Sequence, residues 1–159
     1  MTLATRIAVM RDGRIEQLGT PEEIYNTPAT LYVAAFVGAP PMNLLAARFD
    51  NGYVTVDGLE TSIPLPPGFG TALSVGQSLL LGIRPEALRL GTAGERTIRA
   101  TCEIAELTGP ELVVTSLAGQ RLLATLPPRT RLEPGDPVSF AFDSDAMHLF
   151  DAKSGLRLD

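Results

Sequence analysis

The chain has 159 residues and a formal net charge of −5 at pH 7. This length allows one or two small domains, and 45% hydrophobic against 19% charged residues is typical of a globular chain. The acidic balance argues against a nucleic-acid partner, which would favour a basic surface. A single cysteine, Cys102, excludes an internal disulfide, and a cytosolic location is then the simpler interpretation. No apolar run approaches the ~20 residues of a membrane span.

The first 40 residues have a mixed α and β pattern. Residues 6–10 are a short apolar strand candidate, and residues 14–18 can return beside them because the intervening Asp12-Gly13 pair is typical of a hairpin turn. We therefore expect an antiparallel hairpin at the start of the chain.

Two helices are predicted after this hairpin. Thr20 suits a helix N-cap, Pro21 suits the first helical position, and Glu23 completes a capping box. A second helix is predicted over residues 29–37, where Tyr32, Val33, Phe36 and Val37 have helical spacing. The Gly-Ala-Pro-Pro run at residues 38–41 ends it and marks a boundary. We divide the chain there, into residues 1–40 and residues 41–159.

Beyond residue 42 the pattern becomes that of short β-strands. Apolar and polar residues alternate in several runs, and turn pairs such as Asn51-Gly52 and Pro134-Gly135 separate them. Many short strands with regular turns predict a β-sandwich or a small β-barrel. The alternating apolar positions are Val54 and Val56, then Ile98, Ala100, Cys102 and Ile104, then Val138, Phe140 and Phe142.

The sequence also contains an internal echo. Residues 73–90 correspond to residues 132–149, with an apolar strand, an acidic corner and an apolar pair in the same order. Upstream, the Leu-Pro-Pro of residues 65–67 recurs at residues 126–128. Two related β units explain the echo, and so does convergence of similar hairpins on similar sequences.

The corner after the first of these strands raises a question of function. Arg84-Pro85-Glu86 follows a buried strand predicted over residues 79–83, and its counterpart is Asp143-Ser144-Asp145. The acidic position recurs, which a strand-terminating turn explains, because Pro85 cannot donate to a β-ladder. Arg84 is peculiar to the first copy. We expect it either to pair with Glu86 or to reach another surface.

No catalytic site is evident in the sequence. There is no G-x-x-x-x-G-K-[ST] phosphate loop, and His148 is the only histidine, so a zinc site or a Ser-His-Asp triad is disfavoured. Because His148 stands in an apolar strand, we expect a packing or hydrogen-bonding role for it. Cys102 is expected to be a buried, inert thiol. We therefore predict that this chain is not an enzyme and holds neither a metal nor a cofactor.

Several motifs nevertheless carry a clear resemblance. Residues 1–15 and 17–28 resemble the end of the ATP-binding subunit of ABC transporters, just after its switch histidine. Residues 36–45 (FVGAPPMNLL) resemble the following junction in the sugar-importer branch. Residues 81–86 (LGIRPE) and 148–151 (HLFD) are similar to the C-terminal regulatory domain of that branch. The finer resemblance is to the sn-glycerol-3-phosphate importer type within the wider maltose-importer class.

The resemblance implies a fold and a function. It implies an OB-type β-barrel, the transport-associated OB domain, preceded by a short α/β fragment of the nucleotide-binding domain. It further implies that two copies pair through the OB domain and that the domain receives signals from a cytosolic regulatory protein. For a full-length parent it implies ATP and Mg²⁺ as ligands, transmembrane permease subunits as partners, and a place on the cytoplasmic face of the membrane.

The chain departs from the family pattern in two positions and in one larger respect. Thr5 stands where members commonly carry Asp, and Ala87 stands where they carry His. The phosphate loop, signature motif, catalytic glutamate and switch histidine would all precede Met1. This chain is therefore not expected to hydrolyse ATP by itself.

Six residues are candidates for the regulatory and pairing surface. We place that surface around residues 97–150, where a self-complementary face would need apolar strand positions rimmed by polar groups. Residues 1–40 would need a cover for their apolar faces, so we expect them to fold back on the barrel, exchange between protomers, or fray. The six candidates are Arg84, Glu86, Phe140, Phe142, His148 and Phe150.

Two rival functions stay open at this point. Related transport-associated domains bind small oxyanions, and four arginines offer charge-assisted donors for such a ligand. OB barrels also bind oligonucleotides, but that function needs a basic groove with exposed aromatics, and this chain is acidic with 6% aromatics and no tryptophan. The four arginines are Arg48, Arg84, Arg89 and Arg99.

Overall fold

The computed structural model describes residues 5–59, 62–69, 73–92, 95 and 97–158. Residues 5–37 form what we call the N-terminal segment, and the strands from residue 43 onward form the β-domain. The N-terminal segment contains β1 (Ile7–Arg11), β2 (Arg14–Gly19), α1 (Pro21–Asn26) and α2 (Leu31–Phe36). The β-domain contains β3 (Asn43–Asp50), β4 (Tyr53–Val56), β5 (Ser62–Pro64), β6 (Ser78–Ile83), β7 (Arg89–Leu90), β8 (Ile98–Leu107), β9 (Leu112–Ala118), β10 (Gln120–Leu126), β11 (Pro137–Ala141) and β12 (Met147–Asp151).

The N-terminal segment follows the sequence pattern closely. β1 and β2 pair antiparallel, as predicted. The capping box at α1 is complete: the Glu23 backbone N–H donates to Thr20 Oγ1 over 3.1 Å, and the Thr20 N–H donates to the Glu23 carboxylate over 2.8 Å. Val9, Ile24 and Val33 are buried together and hold the hairpin against the two helices. Phe36 departs from the helical pattern, because its side chain is 67% exposed.

The β-domain consists of two five-stranded antiparallel sheets within the described residues. Sheet 1 has the order β12-β6-β3-β4-β5, and sheet 2 has the order β10-β9-β8-β11-β7. The inner faces of the two sheets contribute to one continuous hydrophobic core. Its largest fully buried side chains include Phe140, Leu45, Leu81, Ile98 and Leu122. The prediction of a mainly β fold is confirmed.

The topology is that of a duplicated unit with its last strands exchanged. β3 to β6 and β8 to β11 follow the same pairing order, and in both units a 3₁₀ turn then leads to the final strand. The final strand of the first unit, β7, pairs with β11 of the second, whereas β12 of the second unit pairs with β6 of the first. The strand order therefore supports the two related units that the sequence echo indicated.

Two side-chain amides join the two sheets where no strand pairing does. The Asn43 side chain donates to the Leu123 carbonyl over 2.8 Å and accepts from the Leu123 N–H over 2.7 Å, which imitates a β-ladder. The Gln120 side chain pairs with the Ala46 backbone in the same way. It accepts a hydrogen bond from the Ala46 N–H over 2.8 Å and donates one to the Ala46 carbonyl over 3.0 Å. These amides satisfy backbone groups at the seam, which would otherwise be costly to bury.

The alternation predicted for β8 holds only in its first half. Ile98, Ala100 and Cys102 are buried, but Ile104 is 46% exposed, so its expected place in the core was wrong. The physical reason is a β-bulge: the pairing with β9 shifts between Cys102 and Ile104. One extra residue in a strand moves the following side chains to the opposite face. Ala105 instead packs against the core.

Among the three arrangements expected for the N-terminal residues, the described part of the chain shows the first. Ala34 of α2 lies in a buried cluster with Met42 and with Phe150 of β12. The segment therefore folds back on the β-domain. The division at residue 40 stays a prediction. Among the described residues, no helix is both long and apolar enough to cross a membrane.

Candidate functional site

The Arg84-Pro85-Glu86 corner lies where sheet 1 meets the N-terminal segment. β6 ends at Ile83, Arg84 remains extended, and Pro85 occupies the first position of a 3₁₀ turn that ends at Ala87. The equivalent turn of the second unit, Ser144–Ala146, has the same form. The turn itself is therefore a property of the fold. The side chains that it carries are what distinguish the first unit.

Arg84 clamps the N-terminal segment onto the corner. Its side chain is only 5% exposed. The guanidinium donates to the backbone carbonyl of Val37 and, over 2.8 Å, to that of Tyr25. Its central carbon also lies 4.0 Å from the centre of the Tyr25 ring, a cation–π contact. Of the two predicted alternatives, Arg84 thus reaches another surface.

Glu86 also contacts Tyr25. We call the contacts of Arg84 and Glu86 with Tyr25 and Val37 the clamp. The Tyr25 hydroxyl donates a hydrogen bond to the Glu86 carboxylate. Burial, followed by the hydrogen bond and the negative charge of Glu86, raises the pKa of Tyr25 to about 12, although Arg84 opposes this shift. Burial also lowers the pKa of Arg84, against the favourable effects of Tyr25 and Glu86. At neutral pH Tyr25 is a neutral donor and Arg84 is a cation.

Gly38 leaves room for the Arg84 side chain. Its φ of +116° lies in the region that favours glycine, and a Cβ there would stand 2.9 Å from Arg84 Nη1. The glycine predicted to end the second helix therefore has a further role. It lets the backbone of the connection pass close to the guanidinium.

An apolar contact lies beside the clamp on the outer face of sheet 1. Gly82 faces Met42 and Phe150 there, and a Cβ on Gly82 would stand 2.6 Å from the Met42 sulfur and 3.0 Å from the Phe150 ring. Ala34 of α2 packs into the same cluster and is fully buried. The strand therefore needs glycine at this position so that the Met42 side chain and the Phe150 ring can approach.

The C-terminal residues add a third connection. Gly155 accepts a hydrogen bond from the Leu31 N–H over 2.8 Å, and the Arg157 N–H donates to Ala29 over 3.1 Å. On its other side the same stretch bonds β12, because the Leu158 N–H donates to the Leu149 carbonyl over 2.8 Å. Three connections therefore join the N-terminal segment to the β-domain: the clamp, the Gly82 contact and the C-terminal stretch.

The structure separates the six candidate residues into different settings. Phe140 and Phe150 are both 0% exposed, so their expected place on a pairing surface is corrected: neither offers its side chain to a partner. Phe142 is half-buried and packs against the core. The remaining three come together, since Arg84, Glu86 and His148 line one open depression of about 320 Å³ beside Tyr25. His148 is buried, as expected for its apolar strand.

The four arginines proposed as oxyanion ligands do not form a preorganised anion-binding site. Arg84 already donates to two carbonyls, Arg48 lies 3.6 Å from Asp57, and Arg89 lies 2.7 Å from Glu95. Arg99 is exposed on β8. Within the part of the chain that the structure describes, no cluster of His, Cys, Asp and Glu is suited to a metal ion.

Sequence reasoning singled out Arg84 and Glu86 but missed Tyr25, Asn43 and Gln120. Arg84 was detectable because the repeat lacks a counterpart for it. Tyr25 lies on a short helix, and nothing local distinguishes it from any other amphipathic aromatic. Asn43 and Gln120 act across sequence separations of 80 and 74 residues, which no periodicity reports.

Comparison with known families gives this arrangement its context. Residues 38–88 match the family described as the MalK OB fold domain, and residues 81–150 match the TOBE domain. Over residues 38–150 the chain therefore belongs to the MalK OB fold and TOBE domain families. The corner at residues 84–86 lies in the stretch that both family matches share.

Curated relatives cover the whole chain. It is 42% identical over 161 residues to the sn-glycerol-3-phosphate import ATP-binding protein UgpC of Chromobacterium violaceum, covering 100% of this chain and 43% of that protein. It is 31% identical over 168 residues to the oligosaccharides import ATP-binding protein MsmX of Bacillus subtilis, covering 99% of this chain and 46% of that protein. The chain thus spans less than half the length of these relatives.

A solved structure shows the same type of fold. The cytoplasmic molybdate-binding protein ModG, crystallised with molybdate bound, superposes with a TM-score of 0.53 at 14% identity. The match covers 67% of this chain and 94% of that one. The OB-type fold expected from the sequence is confirmed, and at this identity the likeness concerns the fold alone.

Proposed function

We propose that this chain is the regulatory and dimerisation region of the ATP-binding subunit of an importer for sugars or sugar phosphates. The 42% identity to an sn-glycerol-3-phosphate import protein supports a solute of the sugar-phosphate class. In the full-length parent, ATP and Mg²⁺ bind a separate domain, and permease subunits hold the protein at the cytoplasmic face of the membrane. A cytosolic regulatory protein is a further proposed partner. This chain itself does not hydrolyse ATP.

The observation that carries the proposal is the Arg84 clamp. A regulatory domain can act on the domain that it regulates only if the two are held in a defined arrangement. A flexible linker does not hold them in one. The clamp instead uses a buried guanidinium, two backbone carbonyls and an aromatic ring to tie the two parts together. We propose Arg84 and Glu86 as the residues through which the β-domain holds the end of the nucleotide-binding domain.

The first test is the molar mass of the chain by light scattering over a wide concentration series. We expect mass to rise from that of the 16.9 kDa monomer towards twice that value. A mass that stays monomeric at every concentration would remove the dimerisation role from this chain. Phosphate release in the presence of Mg-ATP should stay at the level of buffer, since turnover would contradict the proposal that this chain is not an ATPase.

An oxyanion-sensing module is the alternative. The ModG likeness makes its fold suitable, but three of the four candidate arginines already have protein partners. A ligand would have to displace those partners, so the clamp interpretation has the stronger support.

A further inference from the structure

The β-domain has two equivalent seams between its sheets. The seam between β3 and β10 is closed by the side-chain amides of Asn43 and Gln120. Because the two units share one strand order, its counterpart lies between β8 and β5. Gly58 and Gly119, in the equivalent turns of the two units, lie against each other: a Cβ on Gly119 would stand 2.8 Å from the Gly58 carbonyl oxygen. An approximate two-fold axis between these turns relates the two seams.

The second seam is built from different residues. Counted back from the Leu-Pro-Pro that both units share, the position of Gln120 is occupied by Leu59 in the first unit. Leu59 packs against the core and has no amide with which to bond a backbone. Strand β5 is only three residues long and ends in Pro64, which has no N–H to donate. Neither residue can bridge the two sheets as the amides do in the first seam.

A cavity of about 270 Å³ lies in this second seam, and we call it the seam cavity. Ile63 and Pro64 of β5 line it from sheet 1, and Ile98 of β8 lines it from sheet 2. Ile98 and Met147 are its most deeply buried lining residues, at 1% exposure each, whereas Ser144 is exposed and stands at the mouth. Packed protein interiors contain few voids larger than a water molecule. A space of this size is therefore a distinct feature of the seam.

The lining is apolar apart from two hydroxyls. Phe142 and Met147 offer a ring and a thioether, which both make favourable contacts with aromatic rings. Thr97 and Ser144 supply the hydroxyls, and no charged side chain lines the cavity among the described residues. A buried water needs two to four polar partners, and the apolar depth of this cavity does not offer them. The lining therefore favours an apolar occupant over water.

We infer that the seam cavity is a binding site for a small neutral aromatic molecule that carries one hydroxyl group. A cavity of about 150 Å³ with a similar lining holds benzene, so by proportion the seam cavity holds roughly ten non-hydrogen atoms. The ring packs against Ile98, Phe142 and Met147. The hydroxyl bonds to the hydroxyls of Thr97 and Ser144 at one end. This site does not depend on the proposed function of the chain.

Other classes of ligand do not match the seam cavity. A sugar would leave most of its hydroxyls against apolar side chains, without hydrogen-bond partners, which is costly for each of them. An oxyanion would need a cationic donor, and neither arginine nor lysine lines the cavity among the described residues. A sugar phosphate fails on both counts. The cavity is therefore not a second site for the solute class proposed above.

The first test is a titration of the chain with p-cresol, followed by NMR of carbon-13-labelled methyl groups. We expect saturable shifts in the methyl signals of Ile63, Ile98 and Met147. The signals of Val9 and Val33, which are buried in the N-terminal segment, should not move. Toluene has the same ring and methyl group without the hydroxyl, so it should bind about fivefold more weakly. If p-cresol causes no saturable shift up to its solubility limit, the seam cavity is not a ligand site.

Filling the cavity tests where the ligand binds. Ile63→Phe places a second ring in the seam cavity and should weaken p-cresol binding at least about tenfold. Ile15→Phe is the matched control, because Ile15 is 59% exposed on β2 and its replacement should leave binding unchanged. Urea midpoints for the two variants report whether the fold is retained. Undiminished p-cresol binding by a folded Ile63→Phe protein would overturn the assignment.

Removing the hydroxyls tests the chemistry of the ligand, and it decides the question if Ile63→Phe does not fold. The double variant Thr97→Val with Ser144→Ala keeps the cavity but removes both hydroxyls, so p-cresol should lose its advantage over toluene. Thr101→Val, an exposed position on β8, makes the same chemical change away from the cavity and should preserve that advantage. A fivefold preference for p-cresol that persists in the double variant would show that the assigned ligand chemistry is wrong.

Discussion

The two sheets of the β-domain share a strand order, but their outer faces meet different surroundings. The outer face of sheet 1 is covered by α2, by Met42 and by the C-terminal stretch, whereas Ile104 and Leu117 on the outer face of sheet 2 are exposed. Corresponding positions differ accordingly. Leu80 on β6 packs against the cluster that contains Ala34 of α2, whereas its counterpart on β11 is the polar residue Ser139. Two units with the same strand order therefore differ in what their outer faces contact.

The cover over sheet 1 should matter most for stability. Phe150→Ala removes a fully buried ring between β12 and α2, and we expect it to lower the free energy of unfolding by about 3–5 kcal/mol. Urea denaturation measures the loss. Phe36→Ala is the control, because that ring is 67% exposed and its removal should change stability by less than about 0.5 kcal/mol. Equal losses would mean that α2 does not depend on its contact with sheet 1.

The Arg84 clamp should come next. Arg84→Met keeps an apolar side chain of similar length but leaves the Val37 and Tyr25 carbonyls without their donor. Because these acceptors are only partly buried, we expect a cost of about 1 kcal/mol for each, at the low end of the range for an acceptor that loses its partner. Hydrogen exchange should accelerate in residues 20–37 and stay unchanged in β9. Arg48→Met, in an exposed pair with Asp57, should alter neither region. Unchanged exchange in residues 20–37 would show that the clamp does not hold the segment.

The Tyr25–Glu86 bond should produce a smaller, pH-dependent effect. The folded chain raises the pKa of Tyr25 from 10.0 to about 12, so folding favours the neutral phenol. This contribution to stability is complete below pH 10 and disappears as pH rises towards 12. Ultraviolet titration of phenolate formation should therefore show one late-titrating tyrosine, and Tyr25→Phe should remove that late phase alone. Its persistence in the variant would assign the shift to another residue.

Oxyanions should have the least effect. Because Arg48, Arg84 and Arg89 have protein partners, we expect no heat of binding on calorimetric titration with molybdate, sulfate or phosphate. A saturable heat that disappears in Arg99→Ala would instead favour the sensing module, because Arg99 is exposed and takes part in none of the ion pairs found among the described residues.

Local patterns in the sequence predicted local structure well. The hairpin, the Thr20 capping box and the buried strand before Arg84 are all present. Each depends on turn chemistry, capping or periodicity within a few residues. Ile104 failed for an equally local reason, because a bulge adds one residue and no simple alternation reveals where.

Two of the six interface candidates, Phe140 and Phe150, lie in the core for a non-local reason. An apolar residue on an alternating strand faces either a core or a partner, and sequence alone does not distinguish the two. The structure buries Phe140 and Phe150 completely and exposes Ile104 and Leu117 instead.

The sequence by itself determined the family, the mainly β fold and the hairpin with its capped helix. It also showed that Arg84 has no counterpart in the second unit. Each of these depends on short motifs and their order. Only the tertiary structure decided which surface Arg84 reaches, that the last strands of the two units exchange, and which sheet face stays open. These outcomes depend on packing between residues far apart in the chain, where burial and hydrogen-bond satisfaction, rather than local propensity, select the arrangement.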